Sequence, residues 1–218
     1  MSRILVINPN SSERVTAAIS EAVAPLRLPG GPAIDCVTLV DGPPGIATQR
    51  DADSVIVPLC RLVEREAADA FVLACFSDPG LHAVREAAGG RPVMGIAEWG
   101  LLRALTLGER FGIIALSASS VRRQQRLVRQ MGIEGRYAGS WPVELSAADS
   151  ASEAVGATLA EAGRALRRER GADVIVLGCA GMARHRGPVA AACGCPVVEP
   201  SQQAVAAALG AVLLAGAP

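Results

Sequence analysis

The string Ala-Asp-x-x-Val-Leu-x-Cys occurs twice in this chain, ending at Cys75 and again at Cys179, 104 residues apart. A Pro-Val pair follows each cysteine after the same interval, at Pro92-Val93 and Pro196-Val197. The stretches before the strings also correspond. Arg3-Ile4-Leu5-Val6-Ile7 leads to Asn10-Ser11-Ser12 much as Arg110-Phe111-Gly112-Ile113-Ile114 leads to Ser117 through Ser120. A duplicated unit folds twice in the same way, so two similar lobes are expected: residues 1–97 with a returning segment 198–218, and residues 98–197. A length of 218 residues is enough for two small cores that share a cleft.

Short runs rich in Val and Ile, each closed by turn residues and followed by an amphipathic stretch, mark alternating βα units. Strands are expected at residues 3–7, 34–39, 70–74, 93–96, 111–115, 137–140, 173–177 and 196–198. Helices are expected at 12–24, 54–67, 79–88, 98–107, 120–131, 151–170 and 202–214. The fold class is therefore α/β, with two pseudo-symmetric lobes, each a mostly parallel sheet flanked by helices. Ligands in such sheets bind beyond the carboxyl ends of the strands, where Asn10, Cys75, the Ser117 region and Cys179 fall.

Composition removes several functions. Acidic and basic residues balance at 21 each, which leaves no electrostatic footprint for nucleic acid or an anionic membrane. A small neutral or weakly charged ligand is expected instead. All the basic residues are arginine, and without lysine neither a pyridoxal-phosphate Schiff base nor a P-loop can be built. No segment reaches the roughly 18 uninterrupted apolar residues of a membrane span, and the first residues lack the features of a signal peptide. A cytoplasmic location with six reduced cysteines is the expectation. Cys193-x-Cys195 matches neither zinc-ligand nor redox spacing, so no metal is expected. An apolar content of 50% and zero net charge favour a homo-oligomer.

Two thiols at equivalent places in a repeat can face each other across a cleft. Such a pair suits the transfer of one proton between two faces of a carbon. Cysteine is a strong base once ionised, but it needs help to ionise. Ser77 or Asp78 is expected to cap a helix with Pro79 in its first turn, which would place Cys75 before a positive helix terminus that lowers its pKa. Around Cys179, the small Gly178, Ala180 and Gly181 let backbone N–H groups reach a ligand, where one oxyanion contact is worth about 3–4 kcal/mol. Asn10-Ser11-Ser12 reads as a turn and helix cap or as a ligand contact, and Ile46 lies in a connector rich in Gly and Pro. Glu98 reads as a helix cap, or as a contact to a substrate amide or to the residues behind it. His82 and His185 are expected on the surface. Arg122, Arg126 and Arg129 share a helical face that meets solvent or another subunit.

Ile7-Asn8-Pro9-Asn10, Ala74-Cys75-Phe76-Ser77-Asp78-Pro79-Gly80-Leu81 and Leu177-Gly178-Cys179-Ala180-Gly181-Met182, in this order, resemble the aspartate/glutamate racemase superfamily. Within it the chain is most similar to the hydantoin racemase family, which includes allantoin racemases. The resemblance runs nearly end to end. It implies a cofactor-independent racemase of 5-monosubstituted hydantoins or allantoin, with Cys75 and Cys179 as the acid/base thiols. It also implies a substrate site drawn from Asn10, Ser11, Ile46, Phe76, Ser77, Ser117, Ala180 and Gly181. Two departures matter. The family commonly has threonines where this chain has Ala115-Leu116 before Ser117. The amino-acid racemases usually follow the second cysteine with Thr-His, whereas Ala180-Gly181 here argue against free aspartate or glutamate. The rival functions are a cysteine-dependent decarboxylase, a maleate-type cis–trans isomerase and a two-lobed small-molecule sensor.

Overall fold

The computed structural model describes residues 2–216. Each half is built around a strand with almost no polar side chain to show to water, β1 (Arg3–Asn8) and β5 (Phe111–Ala115). Runs such as Ile4-Leu5-Val6-Ile7, all fully buried, are stable only inside a parallel sheet covered on both faces. In the first half β1 lies between β2 (Ala33–Thr38) and β3 (Ala70–Leu73), and β4 (Val93–Gly95) pairs with β3. In the second half β5 lies between β6 (Tyr137–Pro142) and β7 (Val174–Leu177), and β8 (Val197–Val198) pairs with β7. The two orders, β2-β1-β3-β4 and β6-β5-β7-β8, are the same, and all strand pairs are parallel. The fold is thus α/β with two lobes, each a four-stranded parallel sheet flanked by helices.

The structure also explains the Asp of the repeated string. The Asp69 carboxylate accepts the Arg3 N–H at 2.7 Å, and that of Asp173 accepts the Glu109 and Arg110 N–H groups at 2.9 Å. In each lobe, therefore, the same aspartate ties the start of the repeat strand to the start of the first strand. Otherwise those N–H groups would have no ladder partner.

Among the helices, α1 (Glu13–Val23) begins at Ser12, whose hydroxyl accepts the Val15 N–H. The helix expected at 54–67 is two. A Thr48–Asp51 capping box starts α2 (Gln49–Ser54) earlier, and Val55 separates it from α3 (Ile56–Arg65). The helix expected at 79–88 is α4 (Leu81–Ala87), which begins after a left-handed Gly80. Next come α5 (Ile96–Leu105), α6 (Ala118–Gln130), α7 (Gly156–Arg170), α8 (Arg186–Cys193) and α9 (Pro200–Ala215). The α7 helix was expected from residue 151, but two short 3₁₀ turns take its first residues. Among the described residues no helix is long and apolar enough to cross a membrane.

The lobes are joined by exchange. The α5 helix leaves the first sheet and lays Ala97, Leu101 and Ala104 against Phe111, Ile113 and Val176 of the second. The α9 helix leaves the second sheet and lays Val205, Leu209 and Val212 against Ile4, Val6 and Val72 of the first. Each buried Val or Leu contributes roughly 1.5–3 kcal/mol. The two helices touch at Gly100, where a Cβ would stand 2.9 Å from Pro200 Cβ, so this crossing admits no side chain.

Candidate active site

Cys75 and Cys179 follow the repeated strands β3 and β7, and both border one cavity of about 40 Å³. Five other expected residues border it: Asn10, Ile46, Phe76, Ser77 and Ala180. Asn10 is held by its own turn, where its Oδ1 accepts the Asn8 amide at 3.0 Å and the Ser12 N–H at 2.9 Å. Ser11, Ser117 and Gly181 are not part of this lining. The Ser11 N–H donates to Pro43 O at 3.0 Å, and the Ser117 hydroxyl caps α6. Gly181 makes room, since a Cβ there would stand 2.4 Å from Ser150 Oγ.

The two thiols are furnished alike. Ser77 Oγ lies 3.3 Å from Cys75 Sγ, and Ser150 Oγ lies 3.5 Å from Cys179 Sγ. In each case the N–H two residues on, of Ser77 or Gly181, also favours the thiolate. Burial outweighs this help. It pushes Cys75 up to about 11, with Cys179 and Asp78 adding to the rise, and it raises Cys179, with Glu199 adding. This corrects the expectation of a lowered Cys75.

Nor does Asp78 cap the helix just after it, as was expected. Its backbone is left-handed, at φ 41°, and its carboxylate instead accepts the Ala97 and Glu98 N–H groups of α5 at 2.9 and 2.8 Å. Glu199 plays the matching part in the second lobe, capping α9 through the Ser201 and Gln202 N–H groups at 3.1 and 2.7 Å. The repeat offset of 104 sets Glu199 opposite Gly95. A Cβ on Gly95 would fall 2.3 Å from the Asp78 carboxyl carbon. The same buried carboxylate position is therefore filled from two different places in the chain, which hides the correspondence in sequence. Burial pushes Asp78 up to about 7, against the two N–H bonds, and raises Glu199 as well.

The cavity has further walls that the sequence reading missed: Leu116, Ser120, Arg123, Gln124 and Ala147. Ser120 and Gln124 lie one turn apart on the buried stripe of α6. The same helix reaches across to the first lobe. Ser119 Oγ and Arg123 Nη1 both donate to Ala47 O, at 3.0 and 2.8 Å, and Arg126 Nη2 donates to Gln49 Oε1 at 2.6 Å. Arg123 is partly desolvated and forms no ion pair among the described residues, and burial lowers its pKa. Beside the small cavity lies a larger recess of about 430 Å³, bordered by Pro43, Pro44 and Leu145, which shares Ile46, Leu116, Ser120 and Ala147 with it.

Other candidates lie elsewhere. Glu98 is held by Arg85 at 2.6 Å and does not border the cavity. His82 is exposed, but His185 is only 4% exposed, a correction to its expected surface position. Its Nε2 sits 3.0 Å from Ser152 O, because the 3₁₀ turn at Ala180–His185 folds the ring inward. Cys193 and Cys195 bring their sulfurs within 3.3 Å, and burial pushes Cys195 up to about 12. Among the described residues no group of three His, Cys, Asp or Glu side chains is placed to hold a metal ion.

Comparison with known proteins gives a consistent result. A family model described as Asp/Glu/Hydantoin racemase matches residues 4–208. The hydantoin racemase of Paenarthrobacter aurescens is 34% identical, over 97% of this chain and 92% of its own. That of Rhizobium meliloti is 35% identical, over 90% of this chain and 83% of its own. Among solved structures, the allantoin racemase of Klebsiella pneumoniae superimposes with a TM-score of 0.88 at 30% identity, covering 99% of this chain and 89% of that one.

Proposed function

The chain belongs to the Asp/Glu/hydantoin racemase family and is an enzyme, a racemase, and within that family we propose that it racemises 5-monosubstituted hydantoins or allantoin through two thiols. The observation that carries this reading is the single cavity shared by Cys75 and Cys179, each with its own serine hydroxyl and backbone N–H. One cysteine, as thiolate, takes the proton from C5. The other, as thiol, delivers a proton to the opposite face. The charge that forms in between spreads onto the neighbouring ring carbonyl, so the reaction needs no electron-sink cofactor. Matching surroundings favour a matched pair of thiols, whereas a decarboxylase has use for only one of them.

The cavity is far smaller than the roughly 300–1,000 Å³ of ordinary ligand sites. In this reading the lobes part to admit the ring, which breaks the bonds from α6 to Ala47 and Gln49. The ring substituent then occupies the recess beside Ile46, Leu116 and Leu145. Asn10, Phe76, Ser77 and Ala180 border the ring, Ser117 borders the recess that takes the substituent, Ser11 holds its loop, and the Gly181 N–H serves Cys179. The enzyme works in the cytoplasm, as a homo-oligomer, with its thiols reduced. The test is to incubate one enantiomer of a 5-alkylhydantoin, and separately of allantoin, with the protein in heavy water. Optical rotation should decay to zero with one deuterium gained at the stereocentre. Rotation that persists with every ureide offered rejects the proposal.

A further inference from the structure

Gln124 is only 3% exposed, yet one end of it is unused. Its Oε1 accepts the Ser140 hydroxyl at 2.6 Å, and Ser140 Oγ is in turn 2.6 Å from the Tyr137 hydroxyl. The amide thus turns its oxygen toward β6. With the oxygen engaged on the β6 side, the NH₂ group points the other way, toward the turn that carries Cys179. A Cβ on Gly178 would stand 3.0 Å from Gln124 Nε2, so the bare glycine lets the amide approach that turn. Gln124 also borders the cavity between the thiols. Among the described residues its Nε2 donates to no protein acceptor. The Trp99 indole nitrogen and Ser201 hydroxyl are also unpartnered, but they are sealed within the protein, whereas the Gln124 amide is not. An oriented donor that opens on the cavity and meets no protein acceptor is available to a ligand carbonyl there.

We propose that Gln124 is a substrate-binding residue whose amide N–H donates to the carbonyl oxygen beside the reacting carbon, on the Cys179 side of the cleft. The assignment rests on the racemase reading above and deepens it. The NH₂ can only donate, so the site takes a ligand that presents an acceptor such as a carbonyl oxygen there and rejects one that presents only an N–H donor. The bond strengthens as the proton leaves and that oxygen gains negative charge, so its contribution falls mainly on the rate.

Three variants test this, each checked for native thermal unfolding and for unchanged far-ultraviolet circular dichroism. Gln124→Met keeps the bulk and removes the donor. It should lower kcat by about 100-fold while KM changes by less than about threefold. Ser140→Ala keeps the donor but frees the amide to turn, and should lose roughly fivefold. Gln124→Glu places a carboxylate near Cys179 and should move alkylation of that thiol, but not of Cys75, to higher pH. A purely structural glutamine would share the alkylation shift, which only locates the side chain beside Cys179, but would not lower kcat at an unchanged KM in Gln124→Met. A folded Gln124→Met protein with kcat within about twofold of the wild type overturns the assignment alone. A wild-type protein inert toward every hydantoin and allantoin overturns the reaction, and the role of Gln124 with it.

Discussion

Removing the Ser77 hydroxyl should make Cys75 a weaker acid and the enzyme a slower catalyst at neutral pH. Burial sets the Cys75 thiol at about 11, and the Ser77 hydroxyl at 3.3 Å is the main influence pulling it down. At pH 8 a thiol that titrates at about 11 is only about one part in a thousand thiolate. A hydrogen bond to a charged group is worth about 1.5–3 kcal/mol, and one pH unit corresponds to about 1.36 kcal/mol. Taking the lower end, since the bond to sulfur is long, Ser77→Ala should move the titration up by about one pH unit and cut the thiolate about tenfold. The assay is the rate of iodoacetamide reaction at Cys75 against pH, read by mass spectrometry, beside kcat/KM over the same range. The alkylation rate should rise with pH, because the thiolate is the reactive form, and kcat/KM should rise until the second cysteine, needed as a thiol, ionises as well. The variant should be about tenfold slower at pH 8 and recover at alkaline pH. A wild-type Cys75 that titrates below about 8.5, or a variant whose profile stays in place, refutes the reasoning.

Two further substitutions probe the carboxylate behind Cys75. The folded state raises Asp78 to about 7, so between about pH 4 and 7 it holds a proton that the unfolded chain releases, and stability falls as pH rises through that window. Asp78→Asn should flatten this fall, which amounts to about a few kcal/mol in urea unfolding at successive pH values, and an unchanged slope contradicts it. Gly95→Ala drives a methyl onto the Asp78 carboxylate, and because the buried loop cannot yield, it should cost about 3 kcal/mol or more. A loss below about 1 kcal/mol in the same measurement would show that the loop yields.

The strands and their parallel, two-lobed arrangement were legible because a parallel strand buried on both faces is written as an unbroken apolar run, and this chain writes it twice; their order within each sheet was not. The two cysteines were legible for the same reason. What stayed hidden depends on contacts distant in sequence. Asp78 looks like a local cap, yet it serves a helix 19 residues on, because Gly95 leaves a hole that Glu199 fills in the other lobe. The exchange of α5 and α9 between the sheets, by contrast, matches the expected return of residues 198–218 to the first lobe and the start of the second lobe at residue 98. On α6, the arginine face drew the reading toward solvent. The opposite stripe, Ser120 and Gln124 followed by Val128, carries the signal: polar residues on the buried side of an amphipathic helix. His185 was misplaced because a 3₁₀ turn after Cys179, rather than a loop, folds it inward.

The central claim is that two sulfurs work on opposite faces of one carbon, and deuterium uptake by the single variants tests it most directly. Each pure enantiomer of the substrate would be offered in heavy water to Cys75→Ser and to Cys179→Ser. The account predicts that neither variant racemises, and that each exchanges the proton of at most one enantiomer, a different one for each. Racemisation at the wild-type rate by either variant would contradict it.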